Sequence, residues 1–410
     1  MCAVILRNRT SRTGAQLIDP DQSKLRALKL IRRTEGLSRI ELAKALGFNK
    51  ATVTDLVADL LRRDLLVEEK GAAAGRGRPR THLSINASAG YVISVSPLMG
   101  ERASIDIVDL KGSRIHSCET VLAPFDDVEA LPDMLSGVLG AVLDEEIVPR
   151  AAIRYAAIVL PGLVNHRDGI VHWLPSSKTA MSVPLARQME ERVGIPVILD
   201  NRVAAIARAE HWFGSEGNLD SFTLIALLEQ GMNAARYVEG RMQIGHNGMN
   251  SEFSHVKVAF EGGRPCYCGS SGCITAYASV SGIGSALARL RGIGLSDWSQ
   301  RTTAFEEAVR LTAAKEEGEV AGLFATAGEA LGTAIASHIN EHDPGRVIVV
   351  SARPDLLSLM RRHCEERVDS STLPILRERT SVEYRTVRPD EYWKGTAALA
   401  LEGVYRAPSS

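Results

Sequence analysis

Cys266-Tyr267-Cys268-Gly269-Ser270-Ser271-Gly272-Cys273 brings three thiols into one short loop, and His255 stands ten intervening residues upstream. Gly269 and Gly272 supply the tight turns that let the sulfurs converge. Three Cys and one His suit tetrahedral zinc, and the set closes the coordination shell. The predicted ligands are therefore His255, Cys266, Cys268 and Cys273, and the predicted role is a structural Zn site. Free thiols and a catalytic zinc with an open water position are the competing readings, and the spacing favours neither. The remaining cysteines, Cys2, Cys118 and Cys364, are scattered singly. They make poor material for a disulfide framework and fit a reducing compartment.

The chain has 410 residues, a length that predicts two or three domains. Its composition is that of a globular protein. No uninterrupted apolar run approaches the roughly 20 residues that span a bilayer. Met1 to Pro20 mixes Arg7, Arg9 and Arg12 with polar residues and lacks the apolar core of a secretory signal. A cytoplasmic protein with no membrane partner is expected. Charge is unevenly spread: the first ninety residues hold 17 Lys and Arg against 9 Asp and Glu, the rest 31 against 40. A basic module on an acidic body follows.

The basic module has internal structure. Leu25, Leu28 and Ile31 recur at helical spacing within Gln22 to Thr34. Ser38-Arg39-Ile40-Glu41 reads as a capping box opening a helix to Leu46, which Gly47 stops. Asn49 can cap the next helix, Lys50 to Arg63, with Val53, Leu56, Val57 and Leu60 inward. Two short helices around a glycine turn predict a helix-turn-helix whose second helix enters the major groove of double-stranded DNA. Leu65-Leu66-Val67 and Thr81-His82-Leu83-Ser84-Ile85 would be the strands of a wing. Gly75-Arg76-Gly77-Arg78-Pro79-Arg80 between them carries Arg on a Gly/Pro backbone, suited to the minor groove or phosphates. The candidate DNA contacts are Arg39, Asn49, Lys50, Ala51, Thr52, Thr54, Arg76 and Arg78. A disordered basic loop and an amphipathic helix pair without a DNA role are the alternatives.

Beyond Ala89, strand-like and helix-like runs alternate. Gly90 to Val95, Ala103 to Leu110 (alternating), Ala156 to Leu160, Val197 to Leu199 and Val347 to Val350 read as strands, and Ala204 to Trp212 as a helix. This body of about 320 residues suits two α/β lobes.

Taken together these segments resemble the ROK family, and within it the transcriptional repressors. The resemblance is carried by Ser38 to Leu60 with Gly-Arg-Gly-Arg-Pro, Pro161-Gly162-Leu163-Val164, Val183-Pro184-Leu185, Gly194-Ile195-Pro196-Val197, Asp200-Asn201, Glu252-Phe253-Ser254-His255, the cysteine loop and Trp393-Lys394-Gly395-Thr396-Ala397-Ala398. It implies a two-lobed actin-like, ribonuclease H-like fold with a sugar cleft, a structural zinc, and a homodimer or homotetramer. The domains are then a winged helix-turn-helix at 20–86, a first lobe at 87–199 plus 386–407, and a second lobe with the zinc loop at 200–385.

Departures from the family's kinases are informative. Their first phosphate turn corresponds to Val95-Ser96-Pro97-Leu98-Met99-Gly100, where the acid is gone and Pro97 removes an N–H donor. The second, Leu228-Glu229-Gln230-Gly231-Met232-Asn233, keeps one glycine and adds a carboxylate. The Asp that serves as base after an Asn is Arg202 here, and a guanidinium cannot abstract a proton. No catalytic residue is assigned, and no enzyme is expected. The candidate effector site is Asn201, Arg202, Glu252, His255 and Thr275. His255 is implied in both metal shell and cleft, and Thr275 replaces the family's usual Glu. Two readings stand open: Arg202 and Thr275 recognise an acidic or phosphorylated sugar, or Arg202 fills the cleft by pairing with Glu252 or Asp200 and the protein no longer senses a sugar. The sequence thus predicts a DNA-binding regulator, a repressor of carbohydrate-utilisation genes with an inactive kinase-like effector domain. An active sugar kinase with an accessory DNA domain, or a regulator governed by a protein partner, are the alternatives.

Overall fold

The computed structural model describes residues 20–34, 36–70, 81–97, 102–122, 129–175, 182–214, 219–229, 231–315 and 318–406. The chain divides into one unit of residues up to Ala89 with those from Val404, and a second from Gly90 to Gly403.

In the first unit, α1 (Pro20–Arg33) buries Leu25, Leu28 and Ile31. It is followed by α2 (Arg39–Leu46) and α3 (Lys50–Arg62), whose apolar faces, Leu42, Ala43 and Leu46 on one and Val53, Leu56, Val57 and Leu60 on the other, are buried as their spacing dictates. Arg63 caps α3 rather than extending it. The wing strands β1 (Leu66–Lys70) and β2 (Thr81–Ile85) pair antiparallel, with Leu66 opposite Ile85 and Lys70 opposite Thr81. The stretch 75–80, with Arg76 and Arg78, lies outside the described residues.

The second unit begins with β3 (Tyr91–Pro97), β4 (Arg102–Asp109) and β5 (Arg114–Val121), a meander, then α4 (Leu131–Asp144), β6 (Ile153–Leu160), the hairpin β7 (Leu163–Asn165) and β8 (Ile170–Trp173), α5 (Leu185–Val193) and β9 (Val197–Asn201). Their sheet has the order β5-β4-β3-β6-β9, with β3, β6 and β9 parallel. The alternation expected for β4 is absent: Ala103 to Asp109 are all buried, because both faces of this inner strand are covered. Alternation appears instead on the edge strand β5.

After α6 (Arg202–Phe213), the strands β10 (Phe222–Leu228), β11 (Gly231–Val238) and β12 (Arg241–Met242) form a second meander. The cysteine loop leads into α7 (Thr275–Ala278), α8 (Val280–Leu290), α9 (Trp298–Ala314) and α10 (Gly318–His342), then β13 (Arg346–Ser351), α11 (Pro354–Ser371), α12 (Pro374–Arg377), β14 (Ser381–Thr386) and α13 (Glu391–Arg406). This sheet runs β12-β11-β10-β13-β14, repeating the first topology strand for strand. Each lobe is a meander followed by two parallel strands, and each sheet carries its own apolar core. Val203, Ile206 and Ala207 of α6 pack on Phe222, Leu224 and Ile348 of the second sheet. Among the described residues α10 is long and apolar enough on average to cross a membrane, although Glu319, Glu329 and Glu341 interrupt it. Its Val320, Leu323, Phe324, Leu331 and Ile335 are buried in the second core.

Candidate functional site

The four predicted metal ligands converge. One donor atom from each of His255, Cys266, Cys268 and Cys273 lies within 4.8 Å of the others. Cys268 Sγ and Cys273 Sγ are 3.8 Å apart, and Cys266 Sγ is 3.7 Å from His255 Nδ1. Sulfurs about 2.3 Å from a tetrahedral centre stand about 3.8 Å apart, so the donor set fits zinc. Glu252 precedes a single 3-10 turn, Phe253–His255, which aims the imidazole at the thiols. Lys257 donates to Cys273 Sγ at 3.2 Å and can balance thiolate charge. Burial pushes the Cys266 thiol up to about 12, so binding of a metal must displace its proton.

Beside this loop lies a cavity of about 360 Å³, at the small end of ligand pockets. Pro161 and Gly162 form one wall. Gly162 has φ 100°, and a Cβ there would meet the Trp173 carbonyl oxygen at 2.2 Å, so only glycine allows the turn to lie against β8. Asn201 and Arg202 enter from the start of α6. Asn201 caps that helix, its Oδ1 accepting from the Ala204 N–H at 2.9 Å. Glu252 faces the cavity and accepts from Asn233 Nδ2 at 3.3 Å. Burial pushes its carboxyl up to about 7, against the lowering effect of that bond.

Arg202 pairs with neither of its two proposed partners. Asp200 is held by Arg208 at 2.6 Å and Asn250 at 2.7 Å, and Glu252 by Asn233. Burial draws the Arg202 guanidinium below its ordinary value, while Tyr392 and Glu229 act in the opposite direction. The cavity thus presents a cation to whatever enters it. Of the phosphate-turn residues, Ser96 hydrogen-bonds Thr396 at 2.9 Å and Pro97 continues β3 into its pairing with β4. Leu98 to Gly100 and Gln230 lie outside the described residues. Leu228 and Gly231 to Asn233 form part of the cleft wall.

The structure brings Asn201, Arg202, Glu252 and His255 together but sets Thr275 apart. Thr275 opens α7, is 2% exposed, and lines a separate cavity behind the cysteine loop. Two residues that the sequence did not single out complete the cleft. Tyr267 stacks on Trp173 with ring centroids 5.6 Å apart and planes 8° from parallel. Its hydroxyl lies 3.3 Å from His255 Nε2. A bulky aromatic between two candidate ligand cysteines is the available signal for Tyr267. Trp173 carries none, since it arrives from β8.

In the first unit the local chemistry is as the sequence dictates. Glu41 N–H donates to Ser38 Oγ at 3.3 Å and Ser38 N–H to Glu41 Oε2 at 2.9 Å, closing the capping box. Gly47 takes φ 68° to end α2. Asn49 Oδ1 accepts from the Thr52 N–H at 2.8 Å and its hydroxyl at 3.0 Å. Lys50, Ala51 and Thr54 are exposed at the start of α3, and Thr54 Oγ1 donates to the Lys50 carbonyl at 2.8 Å. Arg39 is engaged by Glu68 of β1 at 2.8 Å, which ties α2 to the wing.

Comparison with known proteins bears on both units. The DNA-binding transcriptional repressor Mlc of Escherichia coli K12 is 25% identical over 382 residues, 92% of each chain. The xylose repressor of Caldicellulosiruptor bescii is 26% identical over 334 residues, 80% of this chain and 82% of the relative. Among solved structures, a ROK family transcriptional regulator homologous to E. coli Mlc superposes with a TM-score of 0.72 at 24% identity, covering 94% of this chain and 97% of that one. The ROK hexokinase of Thermus thermophilus superposes at 0.60 and 21% identity, covering 76% and 97%. The two-lobed kinase-type fold with its N-terminal DNA-binding region is the one expected from the sequence. The ROK family model matches residues 100–401, most of the chain and all of the cleft; the chain belongs to the ROK family.

Proposed function

We propose that this protein is a sequence-specific DNA-binding transcriptional repressor of carbohydrate-utilisation genes, working in the cytoplasm as a homo-oligomer. Its kinase-like lobes sense a ligand and do not phosphorylate it. The observation that carries this reading is a capped helix-turn-helix on a kinase fold whose base position is the guanidinium of Arg202, which makes no ion pair with Asp200 or Glu252. The repressor names of the relatives support it. A general base must accept a proton near neutral pH, and arginine does not. The ligand proposed for the cleft is a sugar derivative bearing an anion, with Arg202 on the anion, Asn201 and Glu252 on hydroxyls, and Trp173 and Tyr267 as apolar walls. His255, Cys266, Cys268 and Cys273 would hold a structural zinc that fixes the Tyr267 wall.

The test is binding to DNA upstream of the protein's own operon across a salt series, alongside an ATP-dependent phosphorylation assay with hexoses and amino sugars. Salt-sensitive, sequence-preferring binding without phosphorylation is expected. Turnover of any sugar, or no DNA preference, would refute the reading. Release by sugar acids or sugar phosphates, but not by neutral sugars, and its loss in Arg202→Gln, tests the ligand class.

A further inference from the structure

Behind the cysteine loop, α7, α8 and α9 line a second, half-open cavity of about 200 Å³. Its wall holds Arg301 and the exposed Arg289 at its rim, with the hydroxyl-bearing Thr275, Ser281 and Ser285, and among the described residues no carboxylate. Close helix packing assembles it. A Cβ on Gly282 would meet the Thr275 carbonyl oxygen at 2.5 Å, and one on Gly284 the Arg301 carbonyl oxygen at 2.0 Å. These two glycines draw α8 against the backbones of α7 and α9, and so bring the polar side chains to one point.

Two of those side chains, Thr275 and Arg301, each carry a buried atom with no hydrogen-bond partner among the described residues, while the Ser281 hydroxyl meets Ser279 Oγ at 3.0 Å. Thr275 is 2% exposed and the unpartnered atom is its Oγ1; in Arg301 it is Nε, and Arg264, which precedes the wall residue Pro265 without lining the cavity itself, has its Nη1 in the same condition. Buried polar atoms are otherwise nearly always satisfied, so such a cluster calls for a cause. Charge points the same way. Arg264 lies over the Tyr277 ring at 4.7 Å, and beyond its burial and that ring the charge of Arg289 bears on it. Asp297, the helix cap of α9, uses its carboxylate on the Gln300 N–H and the Ser296 hydroxyl and does not line the cavity. Two guanidinium forks and several hydroxyl donors around a small, acid-free space match a tetrahedral oxyanion.

We propose that this cavity is an anion site that binds phosphate, as inorganic phosphate or as the phosphate group of a small ester. The site is independent of the DNA-binding reading. Because Cys266 and Tyr267 also line it, the anion packs on the back of the loop whose front forms the cleft.

The experiment uses the zinc-loaded full-length protein at constant ionic strength. Inorganic phosphate, glycerol 3-phosphate and chloride are titrated by calorimetry, with thermal unfolding in parallel. Saturable phosphate binding is expected, weakened at least about tenfold in Arg301→Gln and Arg289→Gln and several-fold in Thr275→Val, and retained in Arg202→Gln, which removes the cation of the cleft. Tighter binding of glycerol 3-phosphate than of phosphate would identify an ester as the source, and the reverse order free phosphate; either supports the site. If Arg301→Gln does not fold, Arg289→Gln and the near-isosteric Thr275→Val decide. Unaltered phosphate affinity in both, or a response that chloride reproduces, would overturn the proposal.

Discussion

Asp200 Oδ2 and Arg208 Nη1 meet at 2.6 Å with both side chains sealed from solvent. Asp200 also accepts from Asn250 Nδ2 and the Asn201 N–H, each at 2.7 Å, and Arg208 reaches Glu402 at 3.4 Å. The pair thereby positions the end of β9, which carries Asn201, relative to α6, which carries Arg202. Removing one partner strands a buried charge, at a cost of about 3–5 kcal/mol. Arg208→Ala is expected to lose that much in urea denaturation, and to weaken ligand binding without touching a ligand.

The cysteine cluster predicts equimolar zinc in the purified protein, measured by elemental analysis. Cys273→Ser or a strong chelator should remove it, and the melting temperature and ligand response should fall together. A zinc-free protein with unchanged melting would contradict the assignment.

The exposed start of α3 predicts that Lys50→Ala and Thr54→Ala weaken operator binding while leaving stability within about 0.5 kcal/mol. Asn49→Ala should cost about 1 kcal/mol of stability as well, since its side chain caps the helix. Changing Arg76 and Arg78 together to Ala should flatten the salt dependence by nearly two in log–log slope, if each contacts one phosphate. An unchanged slope in an affinity titration would exclude that contact.

His338 predicts a pH dependence. Burial first, then His342 and Arg236, push its pKa down to about 4, and its Nε2 lies 2.8 Å from Thr223 Oγ1. Because the folded value is below the unfolded one of about 6.5, the unfolded chain takes up the proton first as pH falls. The stability contributed by neutral His338 is complete above about pH 6.5 and lost toward pH 4, at most about 3 kcal/mol. His338→Gln should flatten denaturation midpoints across that window.

Two glycines predict opposite signs. A Cβ on Gly395 would meet the Ala205 carbonyl oxygen at 1.8 Å, so Gly395→Ala should destabilise by about 1–3 kcal/mol. Gly140 of α4 faces open space, and Gly140→Ala should stabilise by up to about 1 kcal/mol. Thermal denaturation of the two variants checks both.

What the sequence made legible follows from range. The His/Cys cluster that could hold a metal lies within one short segment, and the capping box and glycine stop of α2 are local chemistry, so both could be read directly. Trp173 could not, because a hairpin brings it to the cleft. Nor could the absence of an Arg202–Asp200 pair, which depends on Arg208 claiming Asp200 across a strand and a helix. Motif position alone puts Thr275 in the cleft, but the fold does not. Its short side chain is buried at the start of α7, on the far side of Tyr267.

Tyr267 forms part of the wall of both cavities and hydrogen-bonds His255, between two ligand cysteines. One ring is therefore a shared partition. A ligand in front, an anion behind and a metal at its base would all bear on the same two torsions. Any of the three that changed the ring's preferred rotamer would alter the affinity of the others, and within each pair the effect is mutual, each changing the other's affinity by the same factor.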